Sequence, residues 1–108
     1  MTPYVTRDSF FGLSHYECGE AYFGSFRGMR YRLAREPLKD VRYASGEEKA
    51  AGTLLASVWP EPYSYAATDN GEITDHTFPF SEEGMEEAVR WINESYASAK
   101  DRWEALVS

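Results

Sequence analysis

The clearest hydrophobic pattern lies in the last third of the chain, where Met85, Val89, Ile92, Tyr96, Ala99, Trp103 and Leu106 recur at alternating steps of four and three. That spacing keeps them on one helical face and predicts a long amphipathic helix with an apolar stripe to bury. Ser81 is placed to cap it, since its hydroxyl can accept a first-turn N–H that has no partner inside the helix. Helix is therefore expected from Glu82, with Phe80 packing on Met85 as a hydrophobic staple. Gly84 stands where a capping box would have its glutamate.

Upstream the period changes from helical to alternating. Tyr22–Phe26 and Met29–Arg35 flank Arg27-Gly28, which predicts a β-hairpin with Gly28 taking the positive φ of the turn. In the second strand Met29, Tyr31 and Leu33 would face the core, with Arg30, Arg32 and Ala34 on the other side. Glu36-Pro37 ends it, because proline donates nothing to a ladder. Residues 38–51 read as a connection in which Val41 and Tyr43 could form a short extra strand. Thr53–Trp59 is a third, central strand stopped by Pro60-Glu61-Pro62, and residues 63–68 are open between a turn of helix and loop. Asp69-Asn70-Gly71 is expected to turn through left-handed backbone into a fourth strand, Glu72–Phe78. Residues 1–19 have two readings: a short helix capped by Thr6 or Asp8 with Phe10, Phe11, Leu13 and Tyr16 on its apolar face, or an extended arm. The expected architecture is α+β, a three- to four-stranded antiparallel sheet packed by one long C-terminal helix, in a single domain over 1–108.

Composition fits that architecture. At 108 residues, 43% hydrophobic and 16% aromatic, the chain has the length and the large side chains for one packed core. No apolar stretch approaches the roughly 20 residues a membrane span needs, and no basic leader with a short apolar run is present, so the expectation is a soluble, cytoplasmic protein without membrane contact. Cys18 is the sole cysteine and can form no intrachain disulfide.

Charge divides the chain. The net charge is −7, yet residues 22–43 carry six cations against Glu36 and Asp40, a balance of +4, while residues 61–108 carry eleven acids against Arg90, Lys100 and Arg102, a balance of −8. Either the arginine strands lie near the acidic helix and the charges compensate internally, or the molecule carries two binding surfaces of opposite sign.

The familiar catalytic signatures are absent: no phosphate-binding loop, no Gly-x-Ser-x-Gly elbow, no His-Glu-x-x-His helix. A nucleophilic pair could be drawn from Cys18 with His15 or His76, but these soft ligands are too few for a closed zinc site. The reading therefore assigns no catalytic residue, metal or cofactor. Two constellations could bind macromolecules. Carboxylates at Glu82, Glu83, Glu86 and Glu87, with Asp69, Glu72 and Asp75, could imitate a phosphate backbone and occupy a basic groove on a protein, with Trp59, Tyr63 and Tyr65 as aromatic anchors at least partly exposed. Alternatively, Arg27, Arg30, Arg32 and Arg35, interleaved with aromatics over residues 22–35, could neutralise phosphates and stack bases of a single-stranded nucleic acid, although overall acidity opposes it.

The runs Val58–Tyr63, Phe78–Gly84 and Ala88–Glu94 resemble small uncharacterised proteins carried on phages and integrative mobile elements of gut Firmicutes, over roughly residues 52–96. The resemblance carries over no motif residue. It implies the setting of small acidic α+β anti-CRISPR inhibitors and other anti-defence factors, which act by binding a host protein. The leading expectation is accordingly a non-enzymatic inhibitor or accessory factor that engages a host nucleic-acid-processing protein through its acidic surface. Nucleic-acid binding by the hairpin is the alternative, and a small enzyme of unrecognised class the second alternative.

Overall fold

The arginine-rich segment closes as a hairpin. In the computed structural model, which describes residues 4–106, strands β1 (Tyr22–Phe26) and β2 (Met29–Glu36) are joined by Arg27 and Gly28 with φ of 45° and 93°. Two successive positive φ values make a two-residue turn whose twist matches that of the strands, so Phe26 pairs directly with Met29. Strand β3 (Thr53–Pro60) pairs with β2, and β4 (Thr74–Pro79) with β3, giving an antiparallel sheet in the order β1-β2-β3-β4. Register places Tyr31 opposite Val58, Leu33 opposite Ala56, and Leu54 opposite Phe78; all six are buried on one face.

That face is covered by helix α3 (Glu82–Ser98), which begins where the sequence predicts: Ser81 Oγ accepts the Gly84 N–H at 3.0 Å. Met85, Val89, Ile92 and Tyr96 are buried along its stripe, joined by Ala88. Gly84 is required by packing, since a Cβ there would lie 1.8 Å from the Pro79 carbonyl oxygen. The helix does not run unbroken to Leu106. It stops at Ala99 (φ −133°, ψ 30°), and a separate helix α4 follows over Lys100–Ala105. The cause is tertiary. Trp103 turns into the core, its indole Nε1 donating to the Ser95 carbonyl at 3.1 Å, while its own backbone carbonyl meets the hairpin turn so closely that a Cβ on Gly28 would be 1.9 Å away. Ser95 and Ser98 hydroxyls bond back to carbonyls of Trp91 and Ser95, which loosens the helix at the same place. Leu106, expected on the stripe, is left exposed.

The N-terminal segment combines the two expectations. Arg7–Phe10 form a 3-10 turn and Leu13–Glu17 the short helix α1, with Phe10 and Tyr16 fully buried and the Tyr16 hydroxyl donating to the Phe10 carbonyl. Phe11 leaves the expected apolar face; it has φ 63°, is 53% exposed and stacks on His15. The Thr6 hydroxyl meets Ser9 Oγ instead of capping the turn. Tyr4 and Val5 cross α3, and residues 1–3 of the expected arm fall outside the described residues.

Val41 and Tyr43 form no strand. They belong to a turn in which Val41 is buried, with its N–H on the Glu17 carbonyl at 2.7 Å, and Tyr43 is exposed. Within the 38–51 connection Ser45 caps a short helix α2 (Gly46–Ala50), accepting from the Glu48 N–H at 3.1 Å. The fourth strand starts at Thr74, two residues later than expected, because Asn70–Glu72 form a 3-10 turn in which Gly71 needs no positive φ.

Two measurements test this packing. Gly84→Ala should lower unfolding free energy by about 1–3 kcal/mol in urea titration, although alanine gains about 1 kcal/mol of helix propensity; an unchanged or raised stability would refute the close seat on Pro79. Burial, with help from Tyr22, pushes the Tyr31 phenol up to about 12. The unfolded chain then releases this proton first, from about pH 10, so Tyr31's contribution is full below that pH and is lost as pH rises towards about 12. Tyr31→Phe should flatten the fall of Tm over this window, and an unaltered slope would contradict it.

Candidate functional site

The first turns of α3 bring four of the predicted acidic residues together. Glu82, Glu83, Glu86 and Glu87 are all exposed, because the stripe that buries Met85 and Val89 turns these positions outward. Glu82 is paired, accepting from Arg7 Nη2 at 2.9 Å. Among the described residues no ion pair reaches Glu83, Glu86, Glu87 or Glu94. Glu83, Glu87 and Glu94 share one ridge by their spacing of four and seven. The other three acids lie elsewhere. Asp75 is on β4 but points to the opposite sheet face, where its register partner Ser57 donates its hydroxyl to Asp75 Oδ1. Asp69 and Glu72 are exposed in the connection before β4.

The aromatic anchors divide as well. Trp59 is 2% exposed, contrary to the expected partial exposure. Its indole donates to the Tyr63 carbonyl at 2.8 Å and its ring lies 5.3 Å from that of Tyr65, so residues 61–68 fold back over Trp59 on the far face of the sheet. Tyr65 is half-buried in that packing, while Tyr63 is 61% exposed. Their loop is held by Thr68 Oγ1 on the Ser64 carbonyl at 2.7 Å.

The four arginines do not form one surface. Arg27 sits in the hairpin turn with Nη1 3.8 Å from Glu104, and Arg30 lies 3.9 Å from Glu61. Arg32 is buried under Tyr65, its guanidinium 4.7 Å from that ring and 5.8 Å from exposed Phe23, with Glu36 at 3.8 Å. Arg35 follows the β2 alternation onto the other face and is 1% exposed. There it donates to the carbonyls of Pro37 and Glu48, both at 2.9 Å, and its guanidinium lies 5.5 Å from the Phe80 ring. A Cβ on Gly52 would fall 2.5 Å from its central carbon. Arg35 therefore ties α2 to the sheet, and nothing outside can reach it. Compensation of the arginine charge is internal, as one of the two expectations held, but it comes from Glu104, Glu61 and Glu36 rather than from the start of α3.

Of the residues of the enzyme alternative, His15 and Cys18 lie at α1 and His76 on β4. His15 lies on α1, which packs on β2, and Cys18 is half-buried just after it; His76 is exposed on the outer strand β4, stacked on Phe78. No group of three metal-ligating side chains occurs among the described residues.

Sequence reasoning missed Asn93. Its side-chain amide accepts from the Tyr4 and Val5 N–H groups at 2.7 and 2.9 Å and donates to the Val5 carbonyl at 2.9 Å, strapping the N-terminal segment to α3. One weak signal was there: a polar residue four positions after Val89, beside the buried stripe. No protein-family model, curated protein or solved structure matches the chain.

Proposed function

We propose that the chain is a non-enzymatic protein-binding module whose acidic helix face occupies a basic, nucleic-acid-binding surface of a host protein. It acts there as an inhibitor or accessory factor, in the manner of the anti-CRISPR-like factors to which the resemblance over residues 52–96 leads. One observation carries this reading: the asymmetry of charge pairing. The hairpin cations lie within 3.9 Å of Glu104, Glu61 and Glu36 or, for Arg35, donate to backbone carbonyls, whereas Glu83, Glu86, Glu87 and Glu94 face solvent and form no ion pair among the described residues. Glu83 and Glu87 are held about 6 Å apart along the helix axis, an arrayed charge that attracts Lys and Arg and speeds encounter with a positive patch. Tyr63 stands beside Trp59, away from this face, and plays no part in it.

A second reading, single-stranded nucleic acid on the hairpin, draws on Phe23, 57% exposed beside Arg32. It loses Arg32 and Arg35 to burial and Arg27 and Arg30 to nearby carboxylates.

The deciding experiment recovers a tagged chain and its bound proteins from extract of a host bacterium. Recovery should be displaced by added duplex DNA and by high salt. It should be lost when Glu82, Glu83, Glu86 and Glu87 are all changed to Lys, and weakened by the Gln set, which is gentler on the helix dipole. Undiminished recovery by a Lys variant with native circular dichroism would sink the acidic-face reading. A low-salt gel shift of single-stranded RNA or DNA by the wild-type chain, lost in Arg30→Ala, would replace it with the second reading.

A further inference from the structure

A groove of about 440 Å³ lies between the strapped segment Tyr4–Arg7 and α3. Tyr4 and Val5 form one wall, Val89 and Ala97 supply apolar surface on the helix, and Glu86, Arg90 and Glu94 border it. The groove is held open by fixed parts. Asn93 uses both ends of its amide on Tyr4 and Val5, with a further bond from Nδ2 to the Val89 carbonyl at 3.0 Å. The Tyr4 ring packs 4.5 Å from that of Tyr96 and 5.7 Å from that of Phe26. Arg7 is tied twice, to Glu82 at 2.9 Å and to the Phe11 carbonyl at 2.6 Å. Strap and helix thus hold each other, and the described residues leave apolar surface uncovered between them.

We infer that this groove seats a large apolar side chain of a basic partner segment, one flanked by Lys or Arg. The inference rests on the acidic-face reading and adds the anchor that charge alone lacks. The volume lies in the range of sites that enclose a small ligand, ample for one aromatic or long aliphatic group. Charge selects what surrounds that group. The ridge Glu83, Glu87 and Glu94 runs beside the groove, and Glu86 borders it directly. Arg7 is committed to Glu82, and Arg90, four residues from both Glu86 and Glu94, can neutralise only one of them at a time. A cationic segment therefore gains at this rim, while a second copy of the chain would bring its own acidic ridge against this one. An apolar anchor inside a polar rim is also the arrangement in which a few residues carry most of the binding energy.

Two synthetic peptides test this on the full chain: lysines flanking a central Phe, and the same peptide with Gly at the centre. The Phe peptide should bind about tenfold tighter or more, the low end of what burying one large apolar side chain yields. It should shift the amide resonances of Val5, Val89 and Ala97. Ala97→Trp, which fills the groove without touching charge, should remove the difference, while Ser98→Trp, outside the groove, should keep it. Equal binding of the two peptides overturns the groove inference and leaves the acidic face standing on its charge-reversal test. Binding of neither peptide also overturns it. So does a dimer in sedimentation that protects Val89 and Ala97, or contact of the chain's own residues 1–3 with them.

Discussion

The contact on which the rest of the molecule depends is the approach of α3 to the end of β4. The Pro79 carbonyl comes so close to Gly84 that no side chain fits between them, and Ser81 caps the helix one residue after buried Phe80. Strand and helix are separated only by Phe80 and Ser81, so this contact fixes the angle at which α3 leaves the sheet. Everything on the helix inherits it. Met85, Ile92 and Tyr96 fall on the sheet, Asn93 falls where it can hold Val5, and the ridge Glu83, Glu87 and Glu94 is left facing water. A residue larger than glycine would have to lift the helix, and the strap and ridge would move with it.

A second constraint acts at the other end. Trp103 and Gly28 lock α4 to the hairpin turn through a backbone approach as tight as the first. The break at Ala99 is what allows it: a continuous helix would carry Trp103 along the α3 axis instead of turning its indole back onto the Ser95 carbonyl. The same turn brings Glu104 towards Arg27 and lets it accept from the Tyr96 hydroxyl. Glu104 of the acidic half thereby joins Glu61, beside Arg30, in facing the basic half, while the start of α3 does not.

What could be read from the residues in order was what local physics decides. The hairpin at Arg27-Gly28, the Ser81 cap, the stripe from Met85 to Tyr96 and the α+β architecture with its antiparallel sheet all follow from turn chemistry and periodicity, and the structure shows each. What could not be read depended on how loops and later elements fold back onto the sheet. Nothing near Ala99 announces a break that is set by Gly28, and Trp59 looked like a surface aromatic because the loop that buries it comes later in the chain. Arg35 is the sharpest case. Simple alternation places it on the core face with Tyr31 and Leu33, yet its charge argues for solvent; the carbonyls of Pro37 and Glu48, available only once α2 has folded, decide the matter. Among the site residues, the helix carboxylates were legible as a group because one helix carries them. Asp75 was not, since a sheet sends alternate residues to opposite faces, and Asp69 and Glu72 were not, since they lie in the turn before β4.

A surface that recognises its partner by charge gains most when its charges are held on a rigid frame, because less ordering entropy is lost on association. The Glu83, Glu86, Glu87 and Glu94 side chains form no ion pair among the described residues, but their backbone is fixed by Gly84 against Pro79 and by Asn93 against Val5, with Arg7 on Glu82 joining the two restraints. The frame is thus preorganised. Such a frame suits a basic surface whose Lys and Arg side chains are mobile. The uncovered apolar groove beside them is then the part of the face that could discriminate one basic surface from another, since fitting an anchor demands shape where pairing charges demands only proximity.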